Sequence, residues 1–290
     1  MEREPRFKAL VPFIVFMLFL CGCHTVDFGC KMAAVHSNHD SMVRIFHKEY
    51  EKETEREYIE ENPVRAAYFY RILAVSETFR GNKAEAQKAF DKSLSFADDP
   101  MTHFHMAKFS LRERDIENAQ KQIKSMQKAI EKNIVYDVNY YDFLLTGLTN
   151  WQQHKELMEK KVKIIDFYKE RCNFLKKELE NVRKMPPDIL PALHKINLKN
   201  AEKIRYGMLW HGIERELGTP EWKHEYIWGS NRYFYPISDK TAVCFVVSVQ
   251  TGKLGDIIFC RWPLKKAMRN HKVAEWIFLP NSVYAIQWRI

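Results

Sequence analysis

The chain has 290 residues, a length that suits two folded units better than one. Hydrophobic residues make up 46% and charged residues 29%, and the 19 Phe, 13 Tyr and 7 Trp provide more apolar surface than a disordered chain has. Six cysteines exclude a dense disulfide scaffold, and a mean hydropathy of -0.43 excludes a protein with many membrane spans. The formal net charge of +9 is spread along the sequence, which indicates a solvated basic surface.

Residues 1–22 have the pattern of a secretory signal. A short basic start that includes Arg3 and Arg6 precedes residues 10–20, a run of eleven residues without a charge. This run is too short to cross a bilayer, because a spanning helix needs about 20 apolar residues. It suits the hydrophobic region of a signal peptide.

Residues 20–23, Leu-Cys-Gly-Cys, resemble the bacterial lipobox, in which an aliphatic residue and two small residues precede the cysteine that receives lipid. The resemblance implies that residues 1–22 are a lipoprotein signal peptide and that the sulfur of Cys23 carries the lipid. Two or more acyl chains hold a protein stably at a membrane. With a histidine after Cys23, the resemblance to enterobacterial lipoproteins implies sorting to the outer membrane of a bacterial envelope, facing the periplasm. An ordinary secretory signal and an uncleaved anchor are the alternatives.

Residues 23–40 are polar and lack helical periodicity, so we predict a tether between lipid and fold. Its histidines are expected to be solvated rather than metal ligands. From about Ser41 the spacing of apolar residues becomes helical, and we predict a helical domain over residues 41–184.

A repeat lies within the helical domain. Residues 81–94 align with residues 114–127, and the two matching units cover about residues 67–133. This repeat resembles the tetratricopeptide repeat, whose period is about 34 residues. The resemblance implies helical hairpins, with Gly81 making the turn of the first and Arg114 standing at the same place in the second. Small residues at matching positions would let the paired helices approach: Ala74, Ala86, Ala107 and Ala119. An unrelated helical bundle is the alternative.

By repeat position, the resemblance also implies a concave groove that binds an extended or helical segment of an envelope protein or peptide. The residues expected to line this groove are Tyr68, Arg71, Val75, Thr78, Met101, Phe104, Lys108 and Leu111.

The last part of the helical domain is predicted to be one long amphipathic helix. Residues 136–151 could begin a third, degenerate hairpin, and residues 153–184 then place apolar side chains at spacings of three, four or seven. This helix is expected either to pack on the preceding repeats as a cap or to contact a partner as a coiled coil. Cys172 lies near the apolar stripe and is expected to be a buried thiol.

Pro186 and Pro187 end the long helix and mark a domain boundary. A second domain over residues 195–290 is predicted to be α+β, so the whole chain is α+β. Its expected elements are helices at 200–206 and 208–217, and strands at 233–237, 242–249 and 254–260, with further edge strands within 263–290. A hairpin turn over residues 250–253 is expected to place Cys244 opposite Cys260, where a disulfide or two separate buried thiols are both compatible with the sequence.

The segment from Ile204 to Pro220, with Gly207-Met208 and Leu217-Gly218-Thr219-Pro220, resembles the BamE/SmpA/OmlA lipoprotein family. The resemblance covers about residues 195–262. It implies two helices packed on a three-stranded antiparallel sheet. It also implies an accessory role in outer-membrane protein assembly through protein and lipid contacts.

The sequence contains none of the common nucleotide-binding, serine-hydrolase or zinc motifs. We therefore expect a lipid-anchored envelope scaffold or binding protein that is not an enzyme, needs no cofactor or metal and binds no nucleic acid. The alternative is a periplasmic enzyme or a secreted inhibitor that uses the C-terminal sheet.

Overall fold

The computed structural model describes residue 30 and residues 39–132, 164–194, 196, 198–224 and 230–261. Over these ranges the chain is α+β, with eight α-helices and a four-stranded antiparallel sheet at the C-terminal end. The helices are α1 (His39–Tyr50), α2 (Glu53–Glu60), α3 (Pro63–Phe79), α4 (Lys83–Phe96), α5 (Pro100–Arg112), α6 (Ile116–Glu131), α7 (Ile164–Arg183) and α8 (Trp210–Leu217). The strands are β1 (Trp222–His224), β2 (Ser230–Ser238), β3 (Thr241–Ser248) and β4 (Leu254–Arg261).

Several predicted features lie outside the described residues. These are the signal peptide, Cys23, residues 136–151, the start of the long helix and residues 263–290. Most of the predicted tether lies outside as well, although Cys30 is buried among residues of α1. The last two tether residues belong to α1, and His39 stacks on Phe79, so the expectation of a solvated histidine is wrong there. In the ranges that are described, no helix is long and apolar enough to cross a bilayer.

Helices α3 to α6 form two successive hairpins whose first helices begin in the same way. Pro63 and Pro100 each occupy the first turn, where the missing N–H of proline costs nothing. The side chains of Asn62 and Asp99 cap these helices by accepting hydrogen bonds from the free backbone N–H groups. The positions at which α3 and α5 begin are therefore set by the residues at their own N-termini.

The turns of the two hairpins also match. Gly81 and Arg114 stand at equivalent positions of the repeat, and both adopt a positive φ, 73° and 61°. In each turn two backbone N–H groups bond back to carbonyls near the end of the preceding helix, as in a helix-ending Schellman motif. The helices of each pair approach over fully buried alanines, as the repeat predicted: Ala74, Ala86, Ala107 and Ala119.

Helix α7 packs on the second hairpin. It contacts α5 and α6, and its stripe of Phe167, Tyr168, Cys172, Leu175, Leu179 and Val182 joins their hydrophobic core. Of the two expectations for this helix, packing on the preceding helices is confirmed for Ile164–Arg183. Cys172 is buried, as its place on the apolar stripe predicted.

The sheet has the strand order β1-β2-β3-β4. The family resemblance implied three strands and two helices, whereas the described residues from 190 onward contain four strands, one α-helix and 3-10 turns at Pro191–Leu193 and Ala201–Lys203. The helix expected at 200–206 shortens to the second of these turns, because Asn200 takes a left-handed conformation and Ile204 is extended. Gly218 ends α8 with a positive φ, as expected.

The helical part and the sheet meet through three glycines. A Cβ on Gly81 would lie 2.7 Å from the carbonyl oxygen of Leu254, and one on Gly207 would lie 2.9 Å from the carbonyl oxygen of Gly81. A Cβ on Gly255 would lie 1.5 Å from the carbonyl oxygen of Phe79. The turn between α3 and α4 therefore touches the start of β4 backbone to backbone.

Candidate functional site

The structure brings the predicted groove residues together but does not leave them open. All eight lie on α3 and α5, and all except Lys108 are buried. Met101, Phe104 and Leu111 share a core with Phe167 and Leu175 of α7. The expectation of an open groove at these positions is therefore corrected, because the apolar stripe of α7 packs on the α5 residues that were expected to receive a ligand.

Arg71 has a structural partner. Its guanidinium forms a buried ion pair with Asp99, and Asp99 also accepts from the backbone N–H groups of Met101 and Thr102. One carboxylate thus caps α5 and binds α3, so Arg71 joins the two hairpins instead of facing a ligand.

Charged side chains from α5, α7 and the sheet influence one another electrostatically at one place in the described residues. We call it the charged junction and define it as Lys108, Arg112, Glu178, Arg232 and Asp256, of which Lys108 and Arg232 are half-buried and the others buried. It was not predicted from the sequence as a unit, since its members come from helices and strands far apart along the chain. Clusters of buried ionisable groups occur at functional sites and in structural ion networks alike.

Asp256 on β4 is the anionic centre of the junction. It is 4% exposed, and its Oδ1 accepts a hydrogen bond of 2.9 Å from the backbone N–H of Ile257. Burial raises the pKa of Asp256 to about 7, although the charges of Arg112, Lys108 and Arg232 and this hydrogen bond oppose the rise. The carboxyl group therefore titrates near neutral pH.

Arg112 links three segments at the junction. Its Cζ lies 3.5 Å from the ring centroid of Tyr206, a cation–π contact. Its Nη2 donates to the carbonyl oxygen of Thr78, 3.4 Å away on α3. Thr78 was expected to line the groove, whereas here its hydroxyl bonds to the Ala74 carbonyl within its own helix.

Lys108 and Glu178 connect the junction to α7. Burial lowers the pKa of Lys108 to about 8, and Asp256 and Glu178 act in the opposite direction. Burial likewise raises the pKa of Glu178, while the Asn181 hydrogen bond and the Lys108 charge lower it. Lys108, which was expected to contact a partner, is half-buried and feels the charges of Asp256 and Glu178.

A second polar contact ties the N-terminal helix to the sheet. Asp40 on α1 accepts hydrogen bonds from Arg80 Nε and from the Ser248 hydroxyl, both at 2.8 Å. The Thr251 hydroxyl donates to the carbonyl oxygen of Arg80 at 2.8 Å. Lys253 Nζ donates to Asn82 Oδ1 at 3.0 Å. Together with the glycine contact, these bonds fix the β3–β4 turn against the α3–α4 turn.

The two cysteines of the sheet are not directly opposite each other. In the β3–β4 ladder Cys244 lies opposite Ile258, and Cys260 lies opposite Ala242. The register is two residues away from the expected one because the turn lies earlier in the chain than expected, with Val247 already opposite Leu254. The irregularity between Val246 and Val247 shifts the register by one residue and offsets only part of this difference. Cys244 and Cys260 occupy diagonal positions of the ladder, and a disulfide between them stays a prediction.

Among the residues that the structure describes, no three His, Cys, Asp or Glu side chains cluster as a metal site would require. The cations of the junction lower the pKa of its carboxyl groups through their charge. The contacts of Arg112 join α5 to Tyr206 and to Thr78 of α3.

Two sequence signals pointed to the junction. Lys108 and Arg112 are four residues apart on a helix, so they occupy one face. Asp256 interrupts the apolar run of β4. Neither signal alone distinguishes a buried ion from a solvated one.

No protein-family model, curated protein or solved structure matches the chain.

Proposed function

We propose that the protein is a lipid-anchored scaffold of the bacterial cell envelope that binds other proteins without catalysis. Its lipid is attached at Cys23, and it faces the periplasm from the outer membrane. The helical hairpins are of the tetratricopeptide type, and the C-terminal part acts as a BamE-like accessory module in outer-membrane protein assembly.

The observation that carries the scaffold proposal is the repeated hairpin. Its two units share a proline start, a side-chain cap, alanine contacts and a positive-φ turn at equivalent positions. Repeats of this kind present extended surfaces and serve mainly in protein binding. With the predicted groove filled, the surface offered to a partner is the outer face of the second helices, α4 and α6.

The alternative of an enzyme or inhibitor that uses the sheet receives less support. The sheet's buried carboxyl group, Asp256, faces Lys108 and Arg112 of α5 and is closed to a substrate. Arg232 adds a third cation from β2. This arrangement suits a structural network that stabilises the junction.

The anchor is tested by metabolic labelling with a clickable fatty acid in cells that express wild type, Cys23→Ala or Cys21→Ala. We expect label on wild type and on Cys21→Ala, and none on Cys23→Ala, because only one sulfur is the predicted acceptor. Crosslinked, labelled complexes should contain an envelope protein. Equal labelling of all three variants, or none of wild type, would reject the anchor.

A further inference from the structure

The outer face of α6 and the residue that follows it carry a row of lysines that form no ion pair with any residue that the structure describes. We define the lysine stripe as Lys121, Lys124 and Lys128 of α6 together with Lys132, which directly follows the helix. All four are exposed, and within the described part of the chain their ammonium groups have no ion pair or side-chain hydrogen bond. The opposite face of the helix is buried against α5 and α7.

The four lysines point in one direction. Successive helical residues are separated by about 100°, so the stripe occupies an arc of about 80° and extends about 16 Å along the helix. The spacings of three and four bring like charges next to each other, which destabilises an isolated helix. The two acidic residues of α6, Glu117 and Glu131, form no ion pair with a stripe lysine in the described part of the chain, and Glu131 accepts a hydrogen bond from Gln127.

The first hairpin provides an internal comparison. The equivalent positions in its repeat unit are Lys88, Asp91, Ser95 and Asp99. Lys88 is paired with Glu85 at 2.8 Å, and Asp99 with Arg71. The stripe is therefore not a requirement of the hairpin, since the same fold is built without it.

From this surface we infer that the lysine stripe binds an anionic phospholipid surface. A lysine ammonium is a compact charge that contacts phosphate groups without demanding a fixed geometry, and each lysine near an anionic bilayer strengthens binding about fivefold. The stripe lacks the interleaved aromatic side chains that single-stranded nucleic acid requires for stacking. The inference rests on the proposed lipid anchor, which would hold α6 close to a membrane.

The test uses the full chain, isolated from membranes and reconstituted into vesicles of phosphatidylcholine alone or of phosphatidylcholine with phosphatidylglycerol. Acetylation of each lysine by an active ester is followed by mass spectrometry. We expect the stripe lysines to react about fivefold more slowly in the anionic vesicles, relative to Lys88 and Lys92 of α4. High salt should remove this protection.

A charge-matched pair of variants isolates the stripe. Lys121→Gln/Lys124→Gln/Lys128→Gln should abolish the protection of Lys132, whereas Lys83→Gln/Lys88→Gln/Lys92→Gln on α4 should keep it. All three α4 lysines are exposed, so neither variant disturbs a core.

Equal acetylation in neutral and anionic vesicles would overturn the inference. So would protection by duplex DNA or by polyglutamate without protection by anionic vesicles. Flotation of the chain with neutral vesicles reports the anchor separately: a chain that floats without lysine protection rejects the stripe alone, and a chain that does not float rejects the anchor.

Discussion

At the scale of single residues, the charged junction shows how burial overrides local charge. The charges of three cations lower the pKa of Asp256, yet that pKa rises to about 7. The free-energy cost of removing a carboxylate from water exceeds the stabilisation that these charges provide. The folded chain consequently holds a proton on Asp256 that the unfolded chain releases near pH 4.

This difference predicts that the contribution of Asp256 to stability falls as pH rises from about 4 to 7. Over that window Asp256 binds more protons in the folded state than in the unfolded state, so its contribution to the free energy of unfolding decreases by an amount on the order of 4 kcal/mol. Burial lowers the pKa of His39 to about 3, which acts in the opposite direction over this range, so the effect of Asp256 is the difference between wild type and Asp256→Asn, which keeps an acceptor for Ile257 N–H. Urea unfolding at several pH values measures it.

The exposed Asp239 on the β2–β3 turn provides the matched control. Asp239→Asn should leave the pH dependence of wild type unchanged. If the difference between wild type and Asp256→Asn is the same at every pH, the Asp256 carboxyl group titrates alike in the folded and unfolded chains, and burial does not govern its titration.

Ion pairs between hairpins are the second residue-scale feature. Because Arg71 and Asp99 are both buried, loss of one charge leaves the other without compensation. We expect Arg71→Glu to destabilise the fold by about 3 kcal/mol or more, as measured by urea unfolding. The exposed Arg56→Glu is the control, and a similar small loss in both variants would contradict the structural role of Arg71.

At the scale of elements, Arg114 has two structural roles. It takes the left-handed turn position that Gly81 holds in the first hairpin. Its guanidinium also donates to the carbonyls of Val182, Met185 and Ile189, and so closes the end of α7. A residue that looked like a departure from the repeat in the sequence is thereby explained by contacts with a distant part of the chain.

Two substitutions separate the role of the backbone conformation from the role of the guanidinium. Arg114→Gly and Arg114→Ala both lose the guanidinium, but only glycine adopts the positive φ without strain. We expect the glycine variant to be more stable than the alanine variant by about 1 kcal/mol in chemical unfolding. The reverse order, which helix propensity alone would give, would show that the turn is not left-handed.

The elements that were predicted well are those with local signals. Gly81 and Gly218 mark helix ends, and a run rich in β-branched residues marks β3. The prediction of an open groove was wrong for a physical reason. Repeat position indicates which residues face inward, but it does not indicate that α7 packs on the inward-facing residues of α5. The charged junction joins residues that no periodicity connects, so only isolated hints of it were present in the sequence.

At the scale of the whole molecule, the two predicted domains are joined by direct backbone contact. The absence of a side chain at Gly255 permits Phe79 to approach β4, and Asp40, Arg80 and Ser248 form hydrogen bonds beside it. The boundary at Pro186 and Pro187 separates the chain in sequence, whereas in space the helical part and the sheet share an interface.

Gly255→Ala should therefore destabilise the interface between the helical part and the sheet. A Cβ 1.5 Å from the Phe79 carbonyl oxygen forces the sheet away from α3, and we expect a loss of about 3 kcal/mol or more in unfolding free energy. Gly252→Ala meets only Leu209 at 3.7 Å and should cost about 1 kcal/mol for its positive φ. Equal costs for the two variants would contradict the backbone contact.

The most direct measurement of the proposed envelope role is the mass of the N-terminal peptide of the protein recovered from bacterial membranes. We predict a peptide that begins at Cys23 and carries the added mass of a diacylglyceryl group on sulfur. A soluble protein that retains Met1 would contradict the lipid anchor and, with it, the proposed envelope role.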